Sequence, residues 1–388
     1  MRIALLTDGI YPYVVGGMQK HSFYMAKYLA KRGVSVTLFH FIPEGNQQVS
    51  PFNSNELPFI KEVCLTFPPM GALPGHYIRE SKSYSRSISS AFDQLAEDYD
   101  FIYAQGFTAW DLLQQKEKGR QLPPICVNLH GLNMFQMVYG LKAQLAGQML
   151  KPFAKVQLQG ADYVHSLGGK LTSILIEDLN ISRDKIWEIP IGIDKNWLNS
   201  DSAWTDSISP RRNFVFIGRY DRVKGIKELN KILGDLAKEY DFSMSFIGPI
   251  PESHQVEHPH IKYFGLIKEK ERIQEVLKLS DVLICPSHSE GMPTVIMEGM
   301  ANRCAIIATD VGAVAHQVDS ENGWLIEAKD EVALRKALIE AIEVGPEVLR
   351  AKQIASFERV KSFTWDRVID QMLHFFQHHS SSVDITST

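Results

Sequence analysis

Two glutamates, Glu290 and Glu298, have seven residues between them in the stretch SEGMPTVIMEG, where a proline precedes an apolar run. DVLICPS reads as a strand, HSEGM as a loop, and PTVIMEGMA as a helix with Pro293 in its first turn, where a missing N–H does no harm. Glu290 then sits in the loop and Glu298 just over one turn inside the helix. First-turn N–H groups around Thr294 and Val295 can receive phosphate oxygens. Carboxylates that close to an anion are repelled by it. They are better suited to accept hydrogen bonds from hydroxyls on either side, one from a sugar and one from a ribose. A nucleotide sugar has this layout. In isolation the stretch has a plainer reading, a glutamate favoured by the helix dipole and another on a solvated face.

Other stretches supply complementary groups. NFVFIGRYDRVKGIKELNKIL puts Arg219 directly after a strand and Lys224 five residues on, with Gly225 opening the next helix. Two fixed cations at a strand end can neutralise the charge that grows on a departing diphosphate. After the first strand, Gly16 and Gly17 precede a helix with Tyr24, Met25, Tyr28 and Leu29 at helical spacing. Paired glycines let backbone N–H groups approach an anion, although a plain tight turn has the same composition. His130 ends the strand PICVNLHG ahead of Gly131, while His21 on the first helix reads as a packing residue.

These positions need strands whose ends face one cleft. Short β-branched runs alternate with helical segments, first as RIALLTD, VSVTLFHF, EVCLTFP, DFIYAQG, PICVNLHG, ADYVHSLG and KIWEIPIG. A second series follows as RNFVFIGR, FSMSFIGP, IKYFGL, DVLICPS, AIIATDVG and GWLIEA. The pattern predicts an α/β protein with two parallel sheets covered on both faces. At 388 residues the chain has room for two domains. The polar connection IGIDKNWLNSDSAWTDSISPRR places the boundary near 195, giving domains 1–195 and 196–362. SFTWDRVIDQMLHFF forms a closing helix over 363–378, followed by a polar tail, 379–388, expected to be disordered.

Residues 1–190 carry a charge of +2 and the remainder −6, so neither half has the basic excess that nucleic-acid binding requires. No apolar run is long enough to span a bilayer, and the N-terminus MRIALLTDGI reads as a core strand rather than a signal segment. Cys64, Cys126, Cys285 and Cys304 form no CxxC pair, which predicts free thiols, a reducing cytoplasm and no structural zinc.

Taken together, these stretches resemble the GT-B glycosyltransferases, in particular retaining family 4, whose signature is two glutamates separated by seven residues. The likeness also rests on the loop at Gly16 and Gly17, HG at 130 and 131, IPIGID, GRYDRVKG, and TDVGAVAHQV through ENGWLI. It implies a GT-B fold of two facing Rossmann-like domains with a C-terminal crossover helix. It implies that Arg219 and Lys224 bind the donor diphosphate, Glu298 the ribose and Glu290 the transferred sugar. Gly291, Met292, Pro293, Thr294 and Val295 would line the donor site, His130 would lie beside the sugar, and Ile267 near the base. The Gly16 and Gly17 loop would close over phosphate and acceptor. Family members need neither metal nor cofactor and retain anomeric configuration without an obvious enzyme nucleophile. The expected donor is a nucleotide sugar, UDP or GDP first, and the expected acceptor a glycan or a lipid-linked or lipopolysaccharide hydroxyl.

Ala313 and His316 replace the family's usual glycine and glutamate, an expected change in donor-side contacts, and HGLNMFQMVYG lacks an acidic residue often found after HG. Rival readings are a nucleotide-sugar epimerase of the same architecture and a non-catalytic sugar-nucleotide-binding subunit; the glutamate pair and GRYDRVKG favour transfer. Asp98-Tyr99-Asp100 matches a DxD metal motif in form, but it precedes a strand instead of following one, as a surface turn does. Arg79, Lys82 and Arg86, with Lys151 and Lys155, suit either a solvated basic face or peripheral contact of the first domain with the inner face of the cytoplasmic membrane.

Overall fold

The computed structural model describes residues 1–43, 49–68, 71, 75–137, 139–198 and 211–380. Its first sheet has seven strands: β1 (Arg2–Leu6), β2 (Ser35–Phe41), β3 (Ile60–Leu65), β4 (Phe101–Gln105), β5 (Ile125–Asn128), β6 (Tyr163–Ser166) and β7 (Ile186–Glu188). The second has six: β8 (Arg212–Ile217), β9 (Phe242–Ile247), β10 (Ile261–Tyr263), β11 (Val282–Cys285), β12 (Ala305–Thr309) and β13 (Gly323–Ile326). Helices α1 (Gly17–Lys31), α2 (His76–Leu95), α3 (Trp110–Glu117), α4 (Leu141–Gly160) and α5 (Lys170–Ser173) belong to the first half. The second half holds α6 (Ile226–Leu236), α7 (Lys270–Lys278), α8 (Thr294–Ala301), α9 (Glu331–Glu343) and α10 (Pro346–Val360), before α11 (Trp365–His379).

Both sheets are wholly parallel, in the orders β3-β2-β1-β4-β5-β6-β7 and β10-β9-β8-β11-β12-β13. Each winds outward in two directions, from β1/β4 and from β8/β11, so each has a switch point where neighbouring crossovers diverge and leave a crevice. All thirteen strand runs read from the sequence are strands of these sheets.

The second sheet shows how two buried faces follow from period-2 alternation. Phe214, Phe216, Met244, Phe246, Ile284 and Ile307 face a core with Leu229 and Leu233 of α6 and Leu334 and Leu338 of α9. Their neighbours Val215, Leu283, Cys285 and Ile306 point the other way, into a core containing Ile296, Met297 and Met300 of α8. That second core continues into the first half, so one apolar cluster joins both sheets.

Helix α11 returns to the first half. Trp365 is 1% exposed and its ring packs on His21, Tyr24 and Tyr28 of α1 at centroid distances of 5.1, 5.8 and 6.2 Å. Phe375 stacks on Trp187 at 4.2 Å, and Arg32 pairs with Asp366 and Asp370. The helix runs one residue past the expected 378. His379 stacks on Phe375 at 4.2 Å and its Nδ1 bonds the Phe375 carbonyl, so the polar tail starts later than its composition suggests. The rest of the expected tail, 381–388, and residues 199–210 of the connection lie outside the described residues.

Asp100 of the DxD-like triplet accepts a hydrogen bond from the Arg2 N–H at 2.7 Å just before β4, as a turn residue. All four cysteines are free. Among the described residues no helix is long and apolar enough to cross a membrane. Trp365→Ala should cost about 3–5 kcal/mol, read from urea denaturation midpoints, because a large aromatic site beside three rings cannot collapse fully.

Candidate active site

The switch points of the two sheets face each other, and the loops after β1, β5, β8 and β11 enclose a cavity of about 600 Å³. Its lining includes Gly17, His130, Arg219, Lys224, Glu290 and the segment Gly291, Met292, Pro293, Thr294 and Val295. A smaller adjoining cavity of about 60 Å³ shares Gly17, Ile191 and Thr294 and holds Glu298. The fold therefore places the two glutamates on opposite sides of Thr294, in neighbouring chambers. Gly16, the residue before α1, and Ile267, packed against the larger core, line neither chamber.

Lys224 is positioned by a short 3₁₀ turn after β8, which Asp221 caps by accepting from the Val223 N–H. Gly225 follows in the left-handed region at φ 69°, and a Cβ there would stand 2.1 Å from the Pro286 carbonyl oxygen. Only glycine lets the turn lie this close to the β11 loop. Lys224 Nζ consequently donates to Glu290 Oε1 at 2.6 Å. Burial alone would lower the lysine's pKa, but the Glu290 charge, the neighbouring Cys285 and the hydrogen bond to Glu290 together outweigh it and hold the ammonium above its ordinary value. Sequence reasoning assigned these two side chains separate contacts; the structure makes them partners. Arg219 has no ion-pair partner among the described residues and lines the same cavity.

The Glu290 loop is held from both halves. Its carbonyl accepts from Gln136 Nε2 at 2.8 Å, the Gly291 carbonyl accepts from the Ala313 N–H at 2.8 Å, and Met292 Sδ accepts from the Ile191 N–H at 3.4 Å. A Cβ on Gly291 would lie 3.1 Å from the Gly131 Cα, so the two backbones meet across the cleft. Helix α8 begins at Thr294, which leaves Pro293 just outside it, one position earlier than the expected first turn. Within the smaller chamber, burial raises the Glu298 carboxyl pKa, while Lys20 and Lys270 pull it back. Lys20, Tyr24, Asp194 and Trp365 line that chamber too, and the sequence reading assigned none of them a site role.

His130 is held in an unusual conformation. Its φ is +55°, and its N–H donates to Asn128 Oδ1 at 2.6 Å. Asn128 Nδ2 donates to the Tyr103 hydroxyl at 2.9 Å, that hydroxyl to His165 Nδ1 at 2.5 Å, and His165 Nε2 to the Ile189 carbonyl at 2.8 Å. The His130 ring pairs through Nε2 with Gln105 Oε1 at 2.8 Å, which leaves Nδ1 for a ligand. Burial, with His165 nearby, lowers its pKa to about 3, so the imidazole is neutral. His21 is fully buried among the rings of Tyr103, His130, His165 and Trp365, as a packing residue would be, yet it borders the smaller chamber with both nitrogens unpaired.

Ala313 and His316 sit behind the site instead of lining it. His316 Nε2 accepts from the Gly169 N–H at 2.8 Å and stands 3.7 Å from Glu188, both in the first half. Tyr139 makes a parallel contact, with its hydroxyl 2.6 Å from His288 Nδ1 and its ring beneath Arg222. Among the described residues no group of three or more His, Cys, Asp or Glu side chains could hold a metal ion.

Burial lowers the pKa of His21 well below its ordinary value and those of His130 and His165 to about 3 and about 4. A histidine depressed in the folded state binds its proton first in the unfolded one. Its stabilising contribution is therefore complete above pH 6.5 and is lost as pH falls toward the folded value. Stability, and the melting temperature with it, should drop steadily between pH 6.5 and 4.5, by about 2–3 kcal/mol for each of His130 and His165. His165→Gln should show a shallower decline in the same calorimetric titration.

Two family models match the chain: glycosyl transferases group 1 over residues 211–343, and glycosyltransferase family 4 over residues 15–197. A Bacillus subtilis protein named for teichuronic acid biosynthesis as a glycosyltransferase is 32% identical over 39% of this chain; the match spans 40% of that relative's length. The O-antigen chain mannosyltransferase C of Escherichia coli is 20% identical over 97% of this chain and 98% of its own. The structure of sucrose-phosphate synthase from Thermosynechococcus elongatus superposes with a TM-score of 0.76 at 20% identity, over 97% of this chain and 98% of that one, which shows a shared GT-B fold. The facing parallel sheets and the two family matches, one to each half, make this chain a GT-B glycosyltransferase of family 4.

Proposed function

We propose that the protein transfers a sugar from a nucleoside-diphosphate sugar to a hydroxyl of a glycan or lipid-linked acceptor, with retention of configuration and without a metal. The observation that carries this reading is the convergence of Arg219, Lys224, Glu290, His130 and the start of α8 on one cavity of about 600 Å³. The bond between the anomeric carbon and the phosphate oxygen breaks, and the bonding pair leaves on the diphosphate. Arg219, Lys224 and the first N–H groups of α8 meet that charge in place. The acceptor oxygen attacks from the same face, and its proton passes to the leaving phosphate. Positioning and charge stabilisation carry the rate, with no covalent enzyme intermediate.

Glu290 keeps Lys224 charged and aimed while its other oxygen accepts from a sugar hydroxyl. His130, neutral at working pH, offers Nδ1 to the same sugar. Glu298, in the adjoining chamber, takes the ribose, with UDP or GDP the first nucleotides to test. The names of the Bacillus and Escherichia relatives support a polysaccharide acceptor.

Thermal shifts with UDP, GDP, ADP and CMP test the donor assignment. One nucleotide should raise the melting temperature of the wild type and raise that of Glu298→Ala much less. No shift with any of the four overturns the reading. With a working acceptor, Arg219→Ala and Lys224→Ala should each lower kcat/KM by about 10²–10³. Glu290→Gln should lower kcat about a hundredfold while binding the free nucleoside diphosphate at least as tightly, because Lys224 is released to the phosphates.

A further inference from the structure

Among the described residues, helix α4 carries an apolar face that is left largely uncovered. Leu141, Leu145, Met149, Phe153 and Val156 are 80, 65, 43, 36 and 60% exposed. At 100° per residue they span an arc of about 120°, and along the axis they cover about 22 Å. A soluble helix ordinarily turns such an arc toward its core. Here the core side is built instead from Gly147, Ala154, Gln157 and Leu158, all buried, so the exposed stripe is surplus to folding.

The charges that α4 itself carries are of one sign. Helix α4 contains no Asp or Glu, and Lys151 and Lys155 border the stripe. Helix α2 adds a second row. Tyr77 donates to the Ala146 carbonyl at 2.8 Å, and Lys82 lies over the Trp110 ring, which itself packs on Phe153 at 5.2 Å. Arg79 and Arg86 sit one turn to either side of Lys82, both exposed. The acids of α2 do not cancel them: Glu80 is buried, accepting from the Gly71 N–H and paired with His76, and Asp93 is paired with Arg120. Asp111 stands 3.9 Å from Arg86 as the nearest counter-charge. The stripe also starts close in the chain to the active site: Met137, 39% exposed, lines the main cavity four residues before Leu141.

We propose that this face seats on a bilayer containing anionic phospholipid, with the α4 stripe in the headgroup–acyl boundary and the α2 and α4 cations on the phosphates. Apolar burial and attraction to anionic lipid are the two terms that hold an interfacial helix, and both are present on one surface. In that pose the cavity mouth at Met137 opens close to the bilayer surface, where a lipid-linked hydroxyl resides. The surface does not depend on which donor the cleft takes.

Co-sedimentation of the full chain with large vesicles of phosphatidylglycerol and phosphatidylcholine, free of any glycolipid, tests this. Wild type should bind these vesicles at least about tenfold more tightly than pure phosphatidylcholine, and less tightly as salt rises. Leu145→Gln/Phe153→Gln, and independently Leu141→Gln/Val156→Gln, should each weaken binding at least about tenfold with circular-dichroism melting curves unchanged. Arg79→Gln and Lys151→Gln should each cost about fivefold. The proposal is overturned if wild type ignores the vesicles or if both stripe variants bind them like wild type. Binding only after a glycolipid is added would make the stripe a groove for an acceptor chain and overturn it as well. So would a dimer in sedimentation velocity that the stripe variants lose, since a second copy would then be the occupant.

Discussion

A parallel strand can be reached only by a crossover, so every strand of a parallel sheet ends at the same edge. That topological constraint determines where this protein does its chemistry. With two such sheets set edge to edge, the turns after β1, β5, β8 and β11 have one region to enter, and Gly17, His130, Arg219, Lys224 and Glu290 are the residues those turns carry. Arg219 and Glu290 come together because β8 and β11 are neighbours at the switch point, although 71 positions separate them in the chain. Residues of opposite charge can thus be delivered to one cavity without any local motif that links them.

Packing then converts proximity into geometry. Gly225 admits the Pro286 carbonyl, Gly131 and Gly291 admit each other, and the Glu290 loop is tied through its backbone to Gln136 and Ala313. Each tie uses a main-chain group, so the carboxylate itself is left with one oxygen for Lys224 and another for a ligand. The buried chain from Asn128 through Tyr103 and His165 to the Ile189 carbonyl does the same for His130, whose left-handed backbone would otherwise relax.

Much of this was legible from the chain. The thirteen strands announce themselves as short β-branched runs between helical periods, and the strand-end positions of Arg219, Lys224 and Glu290 follow from reading where those runs stop. What could not be read were pairings between distant segments. Nothing near Lys224 signals that its ammonium meets Glu290, nothing near Tyr139 signals His288, and His316 reads as a substituted donor contact until its bond to Gly169 is seen. Such contacts have no period and no spacing, since they depend on how two separately folded sheets approach. The exposed face of α4 is the converse case. Its apolar residues have a helical period that sequence reading would assign to a core, and only the packed structure shows that face left uncovered.

The return of α11 to the first half has a mechanical consequence. The chain passes between the halves twice, after β7 and again before α11, and the two passages are joined: the Ile193 N–H donates to the Phe363 carbonyl at 2.8 Å and the Trp365 N–H to the Ile193 carbonyl at 3.1 Å. Two strips of backbone laminated by hydrogen bonds resist sliding along each other and twisting apart, but they bend together. Any change in the angle between the halves that keeps these two bonds must therefore bend both passages together at Ile193 and Thr364.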